Sequence, residues 1–308
     1  MTTKTRVILD CDTANEIDDQ MAIAYAIGSD SLDVLGVVSV QNTLASGPVS
    51  IDRYQEEAER VVAFCGASQT VQCLRGASRP METIDDGVAS EGLDFIIESA
   101  KAGPLTILAT GPATNMASLA LIAPEVRKEI SVIWAGAFPD DSTWQKKKYG
   151  ELNARADIAS WRRLFIAEGP LKVLPGWPGV EKLAVTPNPF IQQLRDLGSP
   201  ITNYLADITF EWTSGRGVFD MDDMDISGAE LPSKRGKVLW DIANVAAVTI
   251  PDKVYFVDEA LPYVDPAGVP DWNKPGRIAQ VSQNLDPEEV LSDFWKALKK
   301  LSPRGWAI

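Results

Sequence analysis

Short apolar runs rich in β-branched residues alternate along this chain with stretches patterned at helical spacing, and that alternation constrains the fold most. Residues 7–9 form a short apolar run. Residues 18–28 follow, with Met21, Ala22, Ala24, Tyr25 and Ile27 on a helical face that Gly28 stops. "LDVLGVVSV" (32–40) reads as a buried strand and "SIDRYQEEAERVVAFCG" (50–66) as a helix ending at Gly66. "PLTILATG" (104–111) reads as a strand, 114–122 as a helix closed by Pro124, "ISVIWAG" (130–136) as a strand and 155–167 as a helix. This order predicts an α/β fold, a doubly wound, mostly parallel sheet with flanking helices. Such sheets bind ligands at the carboxyl ends of their strands. With no repeat or linker in 308 residues, one domain spanning 1–308 is expected. Residues 137–150 and 214–236 are the least regular and read as surface loops, either walls around a site or solvated connectors.

Right after the first apolar run, "DCDTANEIDD" (10–19) crowds Asp10, Asp12, Asp18 and Asp19 into ten positions. A helix N-terminus favours aspartate, which accounts for one or two of them. Four carboxylates so close repel, and each raises its neighbours' pKa. A cation relieves that repulsion, and oxygen-only ligands favour calcium or magnesium. An EF-hand loop starting at Asp10 fails, because Ala14 and Asn15 stand where it needs an oxygen ligand and a glycine. The haloacid-dehalogenase phosphatase motif DxDx[TV] also slips: the Thr of "DCDTA" falls one place early. "MDDMD" (221–225) imitates the later acidic pair of that family.

The chain has no histidine, which removes Ser–His–Asp and Cys–His catalysis and every imidazole acid, base or metal ligand. Its net charge of −14 argues against nucleic acid and anionic membranes as partners. No apolar run approaches the roughly 20 residues of a membrane span. The first residues lead straight into a strand without an apolar leader segment, so a cytoplasmic location is expected. Cys11, Cys65 and Cys73 form no CxxC pair and read as reduced thiols.

A strand followed by DxD, a short loop and DD opening a helix resembles the inosine-uridine-type nucleoside hydrolases. "VVSVQNT" (37–43), "ILATGPATNMASLA" (107–120), "ELNARADIA" (151–159) and "LWDIANVAAV" (239–248) are similar to four further blocks of that family, in the same order. The resemblance implies one calcium ion per chain held by Asp12, Asp19, the Thr110 carbonyl and Asp241. It implies hydrolysis of a nucleoside's N-glycosidic bond, a metal-bound water attacking C1′ with Asp12 as base. Asp18 would bind a ribose hydroxyl, Asp10 would support the ligands, and Asn42, Glu151 and Asn153 would hold the ribose. A homo-oligomer, dimer or tetramer, is the implied assembly. Taken alone, Asn42 also reads as a turn residue and Glu151 as a solvated charge. The oxocarbenium-like transition state carries positive charge on the sugar, which an acidic site stabilises.

One branch of the family has histidine just before its last metal aspartate, where this chain has Trp240. Trp240 is similar to the purine-preferring branch, in which an indole stacks on the base and favours its protonation by solvent; the other reading is a core tryptophan. Trp144 and Trp212 are candidates for the other half of a sandwich. Five residues, "TANEI", separate DxD from DD where the family commonly has three including a glycine. Asn15 and Glu16 in that loop add a sugar contact or ligand, or narrow the pocket. Arg155 would sit by the sugar or neutralise a nearby carboxylate such as Asp157. Hydrolysis of a different ribosyl or glycosyl substrate, or metal-dependent ribose or nucleoside binding without turnover, are the alternatives.

Overall fold

The computed structural model describes residues 4–47, 50–216 and 236–301. In chain order the elements are β1 (Thr5–Cys11), α1 (Asp18–Gly28), β2 (Leu32–Ser39), α2 (Thr43–Ser46), α3 (Ser50–Phe64), β3 (Gln72–Arg75), α4 (Glu91–Lys101), β4 (Thr106–Ala109), α5 (Thr114–Ile122), α6 (Pro124–Glu129) and β5 (Ser131–Ala135). There follow α7 (Asp141–Lys147), α8 (Asn153–Ala156), α9 (Ile158–Ile166), β6 (Leu171–Leu174), β7 (Ala184–Val185), α10 (Pro187–Leu197), α11 (Pro200–Glu211), β8 (Lys237–Val238), α12 (Ile242–Thr249), β9 (Val254–Val264), β10 (Pro270–Leu285) and α13 (Pro287–Lys300).

The main sheet has eight strands in the order β3-β2-β1-β4-β5-β6-β10-β9. All neighbours pair in parallel except β10 and β9, which run antiparallel. The chain winds outward through β2 and β3, then returns to β4 beside β1 and winds the other way. The sheet's switch point is therefore the β1–β4 pair, where a doubly wound sheet opens a crevice at its carboxyl edge. The predicted α/β fold is the observed one.

Helices cover both sheet faces, which is why the strands read as continuous apolar runs. Val7, Leu9 and Cys11 of β1 enter one core with α1, α12 and α13, while Ile8 enters the other with Leu93, Ile107 and Trp134. Fully burying an aliphatic side chain of this size contributes about 1.5–3 kcal/mol. Tyr25 ties α1 to its neighbours: its hydroxyl donates to Asp293 Oδ2 at 2.6 Å and lies 2.9 Å from Thr249 Oγ1. All three cysteines are free thiols.

Three elements differ from the reading by pattern. Residues 137–150 are no plain loop, because α7 forms inside them. Asp140 caps it by accepting from the Thr143 N–H at 2.7 Å, and Lys146 and Lys147 sit at its negative end. The helix expected at 155–167 is split at Asp157, whose carboxylate accepts from the Ser160 N–H at 2.9 Å and so starts α9 afresh. Pro124 does not only close α5 but opens α6 as its first residue, where a missing N–H costs nothing. No helix among the described residues is long and apolar enough to cross a membrane.

Candidate active site

At the β1–β4 switch point lies a cavity of about 440 Å³, the size of a small-ligand pocket. Its walls come from the carboxyl ends of four parallel strands. The turn after β1 and the start of α1 bring Asp12, Asn15, Glu16, Asp18 and Asp19. β4 brings Thr110, β5 Ala135 and Gly136, and β6 Leu174, Gly176 and Trp177. Tyr149, Glu151 and Asn153 enter between α7 and α8, and Trp240, Asp241 and Asn244 at the start of α12. Asp12, Asp18, Asp19, Thr110, Glu151, Asn153, Trp240 and Asp241 thus share one cavity.

Asn42 and Asp10 stand behind that wall, both fully buried. The Asn42 amide donates to Asp12 Oδ2 at 2.6 Å, and its own Oδ1 caps α2 by accepting from the Ala45 N–H. Asp10 Oδ1 accepts from the Asn115 amide at 2.8 Å, while its Oδ2 has no partner among the described residues. Gly111 permits this packing, since a Cβ there would stand 3.1 Å from the Asp12 backbone nitrogen and 2.5 Å from Val40.

The carboxylates are buried together, and Lys237 pairs with one of them, Asp18. Burial, then the Asp18 charge, pushes Asp12 up to about 7, against the pull of the Asn42 hydrogen bond. Asp19 rises well above the ordinary carboxylate range through burial and the charges of Asp12 and Asp18. Asp241 rises likewise through burial, Asp18, Asp19 and Asp12. Thr110 donates its hydroxyl to Asp19 Oδ1 at 2.6 Å, and its carbonyl accepts the Asn153 amide at 2.6 Å. Among the described residues the side chains do not close on one point as a finished ligand cluster. The donor set nonetheless fits a hard divalent cation: buried, mutually repelling oxygen donors, which a cation would draw from their present hydrogen bonds.

Glu151 is buried, and burial raises it to about 7 against the Ala154 N–H, which it accepts at 2.8 Å, and the nearby Arg155 charge. Arg155 itself donates to the Tyr149 carbonyl at 2.5 Å. Asp157 serves structure: it accepts from the Met81 N–H and the Thr114 hydroxyl at 2.9 and 2.7 Å.

Trp240 meets Trp177, not Trp144 or Trp212. The two indoles pack edge to face with centroids 5.4 Å apart. Gly176 leaves room for this, since a Cβ there would lie 3.2 Å from the Trp240 ring. Trp144 packs half-buried against the second core, under the Lys148 ammonium. Trp212 lines a smaller neighbouring cavity and faces Lys237 at 5.1 Å.

Pattern reading passed over Trp177, Asn244 and Lys237. Trp177 lies in "PGWPG" just past a strand's carboxyl end, where the wall residues of such sheets come from. The Asn244 amide donates to the Ala109 and Ile133 carbonyls at 3.1 and 3.0 Å, pinning α12 to β4 and β5. Lys237 is buried and paired with Asp18 and Glu16; its only signal was a charge opening an apolar run. The "MDDMD" segment (221–225) lies outside the described residues.

A family model described as inosine-uridine preferring nucleoside hydrolase matches residues 7–262. The pyrimidine-specific ribonucleoside hydrolase RihA of Shewanella woodyi is 27% identical over 227 residues, 66% of this chain and 69% of that protein. Among solved structures, the purine-preferring ribonucleoside hydrolase from Gardnerella vaginalis superposes with a TM-score of 0.71 at 21% identity, covering 96% of this chain and 99% of that one. A plant nucleoside hydrolase, PpNRh1, gives 0.71 at 20% identity with the same coverage. These two structures speak for the fold; the family match, over most of the chain and through every wall of the cavity, speaks for the chemistry. The chain belongs to the inosine-uridine preferring nucleoside hydrolase family, metal-dependent hydrolases of N-glycosyl bonds.

Proposed function

We propose that this enzyme hydrolyses the N-glycosidic bond of ribonucleosides, purines ahead of pyrimidines, with one calcium ion held by Asp12, Asp19, Asp241 and the Thr110 carbonyl. The observation that carries the reading is one cavity lined both by these oxygen donors and by the Trp240–Trp177 indole pair. When bound, the cation would supply polarisation of water and sugar hydroxyls, which calcium does with a wide, adaptable oxygen shell.

The chain's own residues do the rest. Asp12 takes the proton from the water that adds to the anomeric carbon, and Asn42 keeps its carboxylate turned to the task. Asp18, Glu151 and Asn153 hold the ribose hydroxyls. The C1′–N bond breaks as the C1′–O bond forms. Its electron pair passes to the base nitrogen, which solvent protonates, since no imidazole exists to do so. The acidic walls stabilise the positive charge that develops on the sugar. A purine on the Trp240 face gains cation–π stabilisation as it becomes protonated. We place the enzyme in the cytoplasm as a homo-oligomer of such single-domain chains, a state sedimentation reads directly.

The name of the RihA relatives speaks of pyrimidines for those proteins, so the test panel carries both base classes. Ribose release from inosine, adenosine, guanosine, uridine and cytidine, with calcium and after chelation, decides the reading, with Asp12→Asn as control. Release from purines that chelation abolishes supports it. Faster release from uridine or cytidine overturns the purine preference. Ribose release from none overturns the hydrolase reading in favour of another glycoside or of binding alone.

A further inference from the structure

We infer that Lys237 is a positioning residue of the sugar site, fixing the Asp18 carboxylate as an acceptor for sugar hydroxyls and keeping it out of cation ligation. The inference rests on the ribosidase reading of the cavity.

Lys237 opens the two-residue strand β8, followed by Val238 and Leu239, both buried. That run asks for an apolar side chain. A buried ammonium is costly unless paired, and well-packed apolar residues stabilise a core as well or better. Yet Lys237 is only 2% exposed. Its ammonium lies 3.0 Å from Asp18 Oδ1, also contacts Glu16 Oε2, and faces the Trp212 ring.

The other Asp18 oxygen is held as well. Asp18 Oδ2 accepts the Trp240 backbone N–H at 3.2 Å. The segment from Lys237 to Trp240 therefore grips both oxygens of one carboxylate. Through this grip the proposed ribose clamp and the proposed base shelf keep a fixed relation.

Electrostatics gives the grip its purpose. Asp12, Asp18, Asp19 and Asp241 all line the cavity, and a dication there attracts any carboxylate free to turn. A fourth carboxylate ligand would tighten the cation but remove the sugar's acceptor. Lys237 offers Asp18 Oδ1 a competing positive charge at 3.0 Å.

The same contact accounts for the long "TANEI" loop. Glu16 lies in it and gives Lys237 its second carboxylate. At its other end the loop is tied to Asp12: the Asn15 N–H donates to the Asp12 carbonyl at 3.0 Å and the Asn15 amide to Asp12 Oδ2 at 3.2 Å. Ala14 between them takes a positive φ of 78°, a strained conformation for a non-glycine residue that persists only where both ends are held.

The test compares wild type, Lys237→Met, Glu16→Gln, Asp18→Asn and the Lys237→Met/Asp18→Asn double variant. Titration calorimetry reads calcium affinity, and ribose affinity in saturating calcium; steady-state assays with inosine read KM and kcat. Lys237→Met is expected to weaken ribose and raise KM by about tenfold, with kcat within about threefold, as for a lost hydrogen bond to a charged group. Calcium affinity should hold or rise. Glu16→Gln should show the same pattern at about threefold, and Lys237→Met should add less than about twofold to Asp18→Asn, since coupled residues are non-additive. Parallel loss of calcium and ribose affinity, an additive cycle, or unchanged ribose binding overturns the inference. Should Lys237→Met not fold, Glu16→Gln and its own cycle with Asp18→Asn decide the same question. Ribose binding that depends on Lys237 in a protein that cleaves no nucleoside would sink the hydrolase reading and leave this inference standing; a wild type that binds no ribose overturns the inference.

Discussion

The indole of Trp240 meets that of Trp177 edge to face, centroids 5.4 Å apart, with Gly176 as the spacer that lets them close. The contact sets the tilt at which Trp240 presents itself to the cavity. Base stacking on an aromatic contributes about 1–3 kcal/mol per base. Trp240→Ala is therefore expected to lower kcat/KM for inosine by about 10–100-fold and to leave ribose affinity within about twofold. Trp177→Ala, acting through Trp240, should cost less, about three- to tenfold. Equal losses for ribose and inosine would show the indoles to be scaffold rather than base shelf.

A second expectation concerns Asp12 and Asn42, joined at 2.6 Å. On the proposed reading Asp12→Asn removes both a cation donor and the base, and should lower kcat by at least about 10³-fold. Asn42→Ala leaves the carboxylate but frees its rotation, a loss of about 10–100-fold for a hydrogen bond to a charged group. If Asn42 works through Asp12, adding Asn42→Ala to Asp12→Asn costs almost nothing more. A full further loss in the double variant would assign Asn42 its own contact with the sugar.

What was legible in the sequence depended on how local the signal was. Asp10, Asp12, Asp18 and Asp19 lie within ten residues at a strand–helix junction, so their crowding shows without knowing the partners. The parallel sheet was legible because both its faces are covered, which makes the strands uniformly apolar. α7 was missed because none of its 7 residues is fully buried, Trp144 alone reaches the second core, and a cap and terminal charges hold the rest. Lys237 and Trp177 were missed because their meaning lies in contacts far along the chain: Lys237 meets Asp18 219 residues away. Asn42 was legible as a site residue, but not that it would stand behind Asp12 rather than on the cavity wall.

Tyr25 tests whether the scaffold and the site separate. Its hydroxyl bonds Asp293 and Thr249, linking α1 to α13 and α12, and none of the three lines the cavity. Tyr25→Phe keeps the ring against Phe294 and removes only the hydroxyl. The expected cost is about 1–3 kcal/mol of stability, read by denaturant unfolding, because Asp293 loses a donor. KM for inosine should stay within about twofold. A large change in KM with little change in stability would mean that the α1 anchor tunes Asp18 and Asp19 directly.

The last prediction joins pH to calcium. Burial raises Asp12 and Glu151 to about 7, and also holds Asp19 and Asp241 well above the ordinary carboxylate range. A carboxyl whose folded pKa lies above its unfolded value binds its proton more tightly when folded. Its stabilisation is full below the unfolded value, near 4, and is lost as pH rises through about 7. The metal-free protein should therefore lose stability between pH 5 and 8. The proposed calcium would bind the deprotonated carboxylates, so protons should compete with it and its stabilisation should grow over the same interval. Melting temperatures at pH 5, 6, 7 and 8, in chelator and in millimolar calcium, check both trends. The gap between the two curves should be small at pH 5 and widest at pH 8. A gap independent of pH would separate calcium binding from these carboxylates, and no gap at any pH would remove calcium from the site.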